Sequence, residues 1–527
     1  SKAASLEQLA TRAEQQEWYS QIAEHSADVW VLVRYAHFLA EDGSRQAQAQ
    51  ALFQRALYAH PTLATAWQGL ASLLWGEGRQ EEATELYRVA ACLDEFNEGH
   101  ALAFFRASRW LRQGEVALEF LRQRAERLGN RNSGPVISLC QLLDELERVQ
   151  EMFTLLERGL ARLPEDPELL LYASDAYGRY GRLEEAEACL RRAESRCQRG
   201  RWVRAHAWHL QRSGADHELA LREVGEALEQ EPLNLGLQRL YADLLQKRQG
   251  RAAALAHLAD LVTRYPHHCG VAEMHYGWLS SEPLVDKERA LRHLLAINPA
   301  YPWARRELAV NLANQARGDE ALEQAEAALG LEPRSSNGAS TMAFVRLRRG
   351  ERELAREYLR LALERSIDND YAIETLVELA TSREESLEAL ALVADQLRRQ
   401  VTFGDGLLGY QRVAQPLLEA EVVLQTLQEA LAQRPDLWQA WLAVAIQQRA
   451  CGQQEAASTL LNSAIERFPL LPRLYLELAQ LHLAAKDFAA CREVLEKSFA
   501  INLVWVPAIR TYLESVSYTH LRAHETE

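Results

Sequence analysis

The chain of 527 residues is short of lysine, methionine and long apolar runs. Lys occurs at five positions only and Met at three. No stretch of eighteen apolar residues exists, which excludes an encoded membrane-spanning helix. No G-x-x-x-x-G-K-[ST] and no G-x-S-x-G occurs, so the sequence contains neither a P-loop phosphate cradle nor a strained nucleophile elbow. The seven cysteines have no paired spacing. An odd, unpatterned set reads as reduced thiols, which leads us to expect a cytoplasmic protein. The 59 basic and 74 acidic residues leave a net charge of −15. A surface of that sign is unsuited to general nucleic-acid binding, because phosphate rewards cations. With so little Lys, nearly every cation is Arg. That bias suits a GC-rich bacterial genome, and Arg also grips carboxylates well. A hydrophobic content of 48% argues for a folded chain.

What the chain does have is one spacing that keeps returning. Trp67, Leu70, Ala71 and Leu74 stand at i, i+3, i+4 and i+7, a single helical stripe. Gly78 then stops the pattern, and Ala83, Leu86, Tyr87 and Ala90 begin a second stripe. The same spacing recurs at Trp441, Val444, Ala445, Gly452, Ala457, Leu461 and Ala464. It recurs again at Leu170, Ala173, Ser174, Tyr177, Gly181, Ala186, Leu190 and Ala193. Pro232 and Pro266, Pro299 and Pro333, and Pro435 and Pro469 are each 34 residues apart. Two helices joined by so short a turn must pack antiparallel. Neither can bury its stripe alone, so each pair needs neighbours.

This pattern resembles the tetratricopeptide repeat. The resemblance implies an all-α fold, a right-handed α-solenoid superhelix of antiparallel helix pairs. The clearest units begin near Ala64, Pro167, Leu235, Pro302, Ser336, Trp438 and Pro472, and the period predicts about fourteen in all. We expect capping helices over 1–27 and the array over 28–516, with an extra turn residue near Gly43. Irregular stretches are expected near 267–295, where the second helix is shifted, and 367–435, where helices lengthen around a loop from Thr402 to Gly409. The string Ser517–Glu527 (SYTHLRAHETE) resembles a translated sequencing adapter. It reads as a non-native tail, from which we expect the natural array to run further. The chain starts without Met, and we expect its natural beginning upstream.

Candidate chemistry is sparse. Gly404, Gly406 and Gly409 form G-x-G-x-x-G, but no strand precedes them, so a turn between helices is expected. His217-Glu218 begins an H-E-x-x-H that fails at Leu221. His267, His268, Cys269 and His275 fit no standard zinc spacing. His206 and His209 share a helix face beside Trp202 and Trp208 and read as packing. We therefore expect no catalytic, cofactor or metal site within these residues, and no enzyme activity from them.

The resemblance also implies a concave groove lined by first helices. Carried over to this chain, the groove positions give Arg179, Arg239, Lys247, Trp303, Arg306, Asn314, Phe344 and Arg348. These form a basic track with two aromatic anchors, suited to an acidic peptide or a chain-terminal carboxylate. The chaperone-adaptor carboxylate clamp and the sugar-transferase asparagine ladder are not reproduced here. Further on, Leu442, Ile446, Leu476 and Leu483 form either an apolar strip or part of the core. The expected function is a protein-interaction scaffold. The alternatives are a recruiting region of a larger enzyme (peptidase, glycosyltransferase or kinase) and an envelope or secretion-assembly component.

Overall fold

The computed structural model describes residues 12–25, 28–42, 45–214, 216–399, 403–501 and 505–525, the last nine as backbone alone. Thirty α-helices follow one another along these residues, from Arg12–His25 to Val506–Glu525, and the described residues include no strand. The chain divides into two compact units. One comprises residues 1–138 and 156–355, the other residues 139–155 and 356–527.

In both units the helices obey one rule of packing. In the repeats that begin at Ala64, Pro302, Trp438 and Pro472 the eighth, twentieth and twenty-seventh residues are small and buried. Ala71, Ala83 and Ala90 are fully buried, as are Ala309 and Ala321, with Ala328 nearly so. In the second unit Ala445, Ala457 and Ala464 hold these places, followed in the next repeat by Ala479, Cys491 and Ser498. Small side chains let backbones approach, and larger neighbours fill the space around them. Gly69 shows how close the approach is: a methyl group there would fall 2.2 Å from the Phe53 ring.

In six of the seven clearest units the turn inside the hairpin falls at the fifteenth place and takes a left-handed residue. Gly78, Gly181, Gly350 and Gly452 supply it with φ of 83°, 78°, 80° and 75°. Ala316 and Lys486 stand at the same place, both at φ 61°, a conformation that strains any residue with a Cβ. Two first helices are opened by side-chain caps of this kind: Asp166 Oδ1 accepts from Leu169 N (2.8 Å) and Asn234 Oδ1 from Leu237 N (3.2 Å).

A second joint recurs between repeats. The fourth residue of a unit reaches back to the carbonyl of the boundary proline six positions earlier. Trp67 Nε1 donates to Pro61 O (2.8 Å), Gln238 Nε2 to Pro232 O (2.7 Å) and Arg305 Nε to Pro299 O (2.9 Å). In the second unit Trp441 Nε1 donates to Pro435 O (2.9 Å) and Tyr475 Oη to Pro469 O (2.7 Å).

The expected irregular stretches have definite structure. Cys269–Trp278 is a first helix of 10 residues, followed by Leu284–Ile297. Asp370–Glu378 has 9 residues, Arg383–Arg399 has 17 and Asp405–Ala414 has 10. Thr402 and Gly43 lie outside the described residues, as do residues 1–11, 26 and 27. The backbone of Val506–Glu525 continues as helix through Ser517.

Candidate functional site

The expected groove residues all lie in the first unit, on first helices. Arg239 and Lys247 are one turn on either side of Asp243 in helix Leu235–Gln249, and both are exposed. Burial raises the Asp243 carboxyl above its ordinary range, although Lys247 and Arg239 pull the other way. Among the described residues no hydrogen bond or ion pair reaches either cation.

The other cations of the track are engaged. Arg179 Nε donates to Asp175 Oδ2 (3.0 Å), and Arg212 Nη2 of the next helix pair holds the other oxygen (2.9 Å). Arg306 Nη1 donates to Glu332 Oε2 (2.6 Å). Arg348 Nη2 donates to Asn314 Oδ1 (2.7 Å), and its guanidinium lies 5.6 Å from the Phe344 ring centroid. The structure thus brings Asn314, Phe344 and Arg348 together across two repeats.

Trp303 sits in an aromatic cluster that the sequence pattern did not indicate. Tyr276 meets its ring edge-on at 5.5 Å, and Tyr301 lies at 5.6 Å. Tyr276 Oη donates to Glu307 Oε2 (2.9 Å) and Tyr301 Oη to Glu273 Oε1 (2.5 Å). Burial and then the facing carboxylates hold both phenols well above their usual range. The two tyrosines stand 25 residues apart, off the 34-residue period, so the repeat spacing gives no signal for them or for their acidic partners.

The remaining motifs have structural roles. Asp368 closes the N-terminus of helix Asp405–Ala414. It accepts from Phe403 N (2.7 Å), Gly404 N (2.9 Å) and Gly406 N (3.2 Å). Gly404 is the left-handed N-cap at φ 94°. A Cβ on Gly406 would fall 2.4 Å from Ile367 O, and one on Gly409 would fall 2.0 Å from Asp370 Oδ1. The G-x-G-x-x-G run therefore begins a helix and seats it against a neighbouring segment. The loop expected over Thr402–Gly409 has ended by Gly404.

His268 caps helix Cys269–Trp278, Nδ1 accepting from Val271 N (3.3 Å), and Cys269 Sγ points to Glu273 Oε1 (3.6 Å). His206 Nδ1 lies 2.8 Å from Glu223 Oε2 and stacks on Trp202. Among the described residues no group of three or more His, Cys, Asp or Glu is placed to hold a metal ion, and no helix is long and apolar enough to cross a membrane. Leu442 and Leu476 are buried, with Ile446 and Leu483 packed against the same core. These four residues belong to the interior rather than to a binding strip.

The tetratricopeptide-repeat family model matches residues 438–481. That stretch is a tetratricopeptide repeat. Arrays of such repeats present extended surfaces to protein partners. No curated protein matches the sequence. Solved structures similar in fold include Naa15/Naa10 bound to HypK-THB, at 14% identity over 93% of this chain and 97% of that one, TM-score 0.32. The APC/C hetero-tetramer Cut9–Hcn1 aligns at 15% identity over 92% and 96%, TM-score 0.27. MamA aligns at 18% identity over 30% of this chain and 93% of its own, TM-score 0.26.

Proposed function

We propose that the chain is a non-catalytic interaction scaffold that holds an acidic peptide segment along the first helices of its first unit. The observation that supports this is the pair Arg239 and Lys247, two exposed cations without partners in a molecule whose other groove cations are paired. A carboxylate arriving there gains charge-assisted hydrogen bonds without displacing an internal partner. Trp303 and Phe344 supply the aromatic anchors, while Arg179, Arg306 and Arg348 set the surrounding field from their existing pairs. Binding on a preformed helical surface carries little ordering cost. The seven cysteines, all free, suit the reducing cytoplasm we assign to it.

The test is fluorescence anisotropy with labelled acidic, neutral and basic heptapeptides. Acidic peptides should bind best. Arg239→Glu with Lys247→Glu should weaken them more than Arg306→Glu alone, since Arg306 already serves Glu332. Equal affinity of acidic peptides for wild type and the Arg239/Lys247 variant would reject the reading.

A further inference from the structure

A second surface of the first unit has the opposite character. Its exposed aromatic side chains, among the described residues of that unit, all fall within its N-terminal repeats. Trp30 is 60% exposed, Tyr58 94% and Phe96 82%, and Leu93 is 40% exposed beside them in sequence. Trp30 and Leu93 line a groove of about 470 Å³ together with Asp28, His60, Leu63 and Asp94. It lies where helix Val29–Ala40 begins, where the turn into helix Ala64–Glu77 runs, and where helix Gln80–Leu93 ends. Tyr58 precedes this lining by two residues and Phe96 follows it by two.

Large aromatic side chains left in water are unusual away from interfaces, since burying them is strongly favourable. The charged side chains that line the groove are both carboxylates, while Arg124, which donates to the Asp94 carbonyl (3.3 Å), is buried and paired with Glu98. Asp28 and Asp94 line it, and no Arg or Lys does. Both carboxylates also organise the backbone: Asp28 Oδ1 accepts from Trp30 N (3.0 Å), and Asp94 Oδ1 from Phe96 N (3.0 Å) and Asn97 N (3.2 Å). His100 lies 3.8 Å from Asp94 Oδ2, and burial lowers its pKa.

We propose that this groove is a docking site for a short basic-apolar peptide segment, its aliphatic residues covering Trp30 and Leu93 and its Arg or Lys meeting Asp28 and Asp94. The site is separate from the cationic first helices and selects the opposite charge.

The probes are two fluorescein-labelled heptapeptides, one alternating Leu and Arg and one alternating Leu and Glu, read by anisotropy on the full chain. The Leu/Arg peptide should bind, and the Leu/Glu peptide should not depend on this groove. Trp30→Ala with Phe96→Ser should weaken the Leu/Arg peptide at least tenfold. Asp28→Asn with Asp94→Asn should do the same while keeping the capping bonds, since Asn also caps. Tyr58→Ser, at a nearly fully exposed position, gives a variant with little risk to folding and a smaller loss. Arg239→Glu with Lys247→Glu should leave this peptide unaffected, so failure of the acidic-peptide reading shows separately. The proposal is overturned if wild type does not bind the Leu/Arg peptide, or if the aromatic pair can be removed without loss. It is also overturned if Glu229→Gln with Glu496→Gln, which remove two negative charges elsewhere, weaken binding equally.

Discussion

Replacing Ala316 and Lys486 by Gly should tighten the hairpins they close. Both stand at the fifteenth place of a repeat with φ 61°, where four other repeats have Gly. A left-handed conformation costs a residue with a Cβ about 1–2 kcal/mol. Glycine's larger freedom in the unfolded chain offsets about 0.4–1 kcal/mol of that. The net gain is about 0.5–1 kcal/mol per site, or roughly two- to five-fold in a local opening equilibrium. The reporter bonds are Arg317 N to Leu312 O (3.0 Å) and Asp487 N to His482 O (2.9 Å), which span each turn. The matching bonds at glycine turns are Glu351 N to Arg346 O (2.9 Å) and Gln453 N to Gln448 O (2.9 Å). Amide hydrogen exchange suits the question better than a single melting temperature, because long arrays do not unfold in one step. Exchange at Arg317 and Asp487 should slow in the Gly variants. Exchange at Glu351 and Gln453 should quicken in Gly350→Ala and Gly452→Ala. Unchanged or faster exchange at Arg317 in Ala316→Gly, with no effect of Gly350→Ala, would refute the strain argument.

Arg124 is 3% exposed and donates to Glu98 Oε1 (2.9 Å) and to the carbonyls of Ala91 (3.0 Å) and Glu95 (2.7 Å), while Glu98 also accepts from Ser138 Oγ (2.8 Å). Arg124→Met should cost about 3–5 kcal/mol by stranding a half-buried carboxylate. Exchange protection of helix Glu98–Trp110 measures this, and Glu98→Gln in the same chain should recover part of the loss. Gly409→Ala should destabilise its helix contact by about 1–3 kcal/mol through collision with Asp370, seen as lost protection in helix Asp405–Ala414. Burial pushes the Cys140 thiol from 9.0 up to about 12. The folded state therefore keeps a proton that the unfolded chain releases above about pH 9. The associated stabilisation is complete below that pH and disappears as pH rises toward about 12. Iodoacetamide at pH 8 should modify exposed Cys92 and spare Cys140, and equal labelling of the two would contradict the burial.

The repeat was legible because its key places tolerate almost nothing else. Ala83, Ala321 and Ala457 are fully buried in close-packed surroundings where extra volume is costly, so the same small residue recurs at a fixed interval. Roles set by distant segments were not legible. Nothing near Gly406 and Gly409 announces that Ile367 and Asp370 press against them. The groove was half readable for the same reason. Composition and period mark Arg306 and Arg239 alike as cations on first helices. Only folding puts Glu332 against one of them, 26 residues away, and leaves the other free. The Trp303 cluster escaped notice because Tyr276 lies in a first helix shortened to 10 residues and Tyr301 at the N-cap of the next, where a fixed register no longer predicts which side chains converge.

The bond from the fourth residue to the boundary proline has an evolutionary corollary. Its acceptor is main chain, present whatever the neighbouring letters become, and its donors here are Trp, Gln, Arg and Tyr. A joint built this way permits substitution by any side chain long enough to deliver a proton donor. Spelling can vary from repeat to repeat while the joint is kept, so hairpins continue far beyond the stretch 438–481 where the family model matches. The outward surfaces are then free to change without reworking the joint.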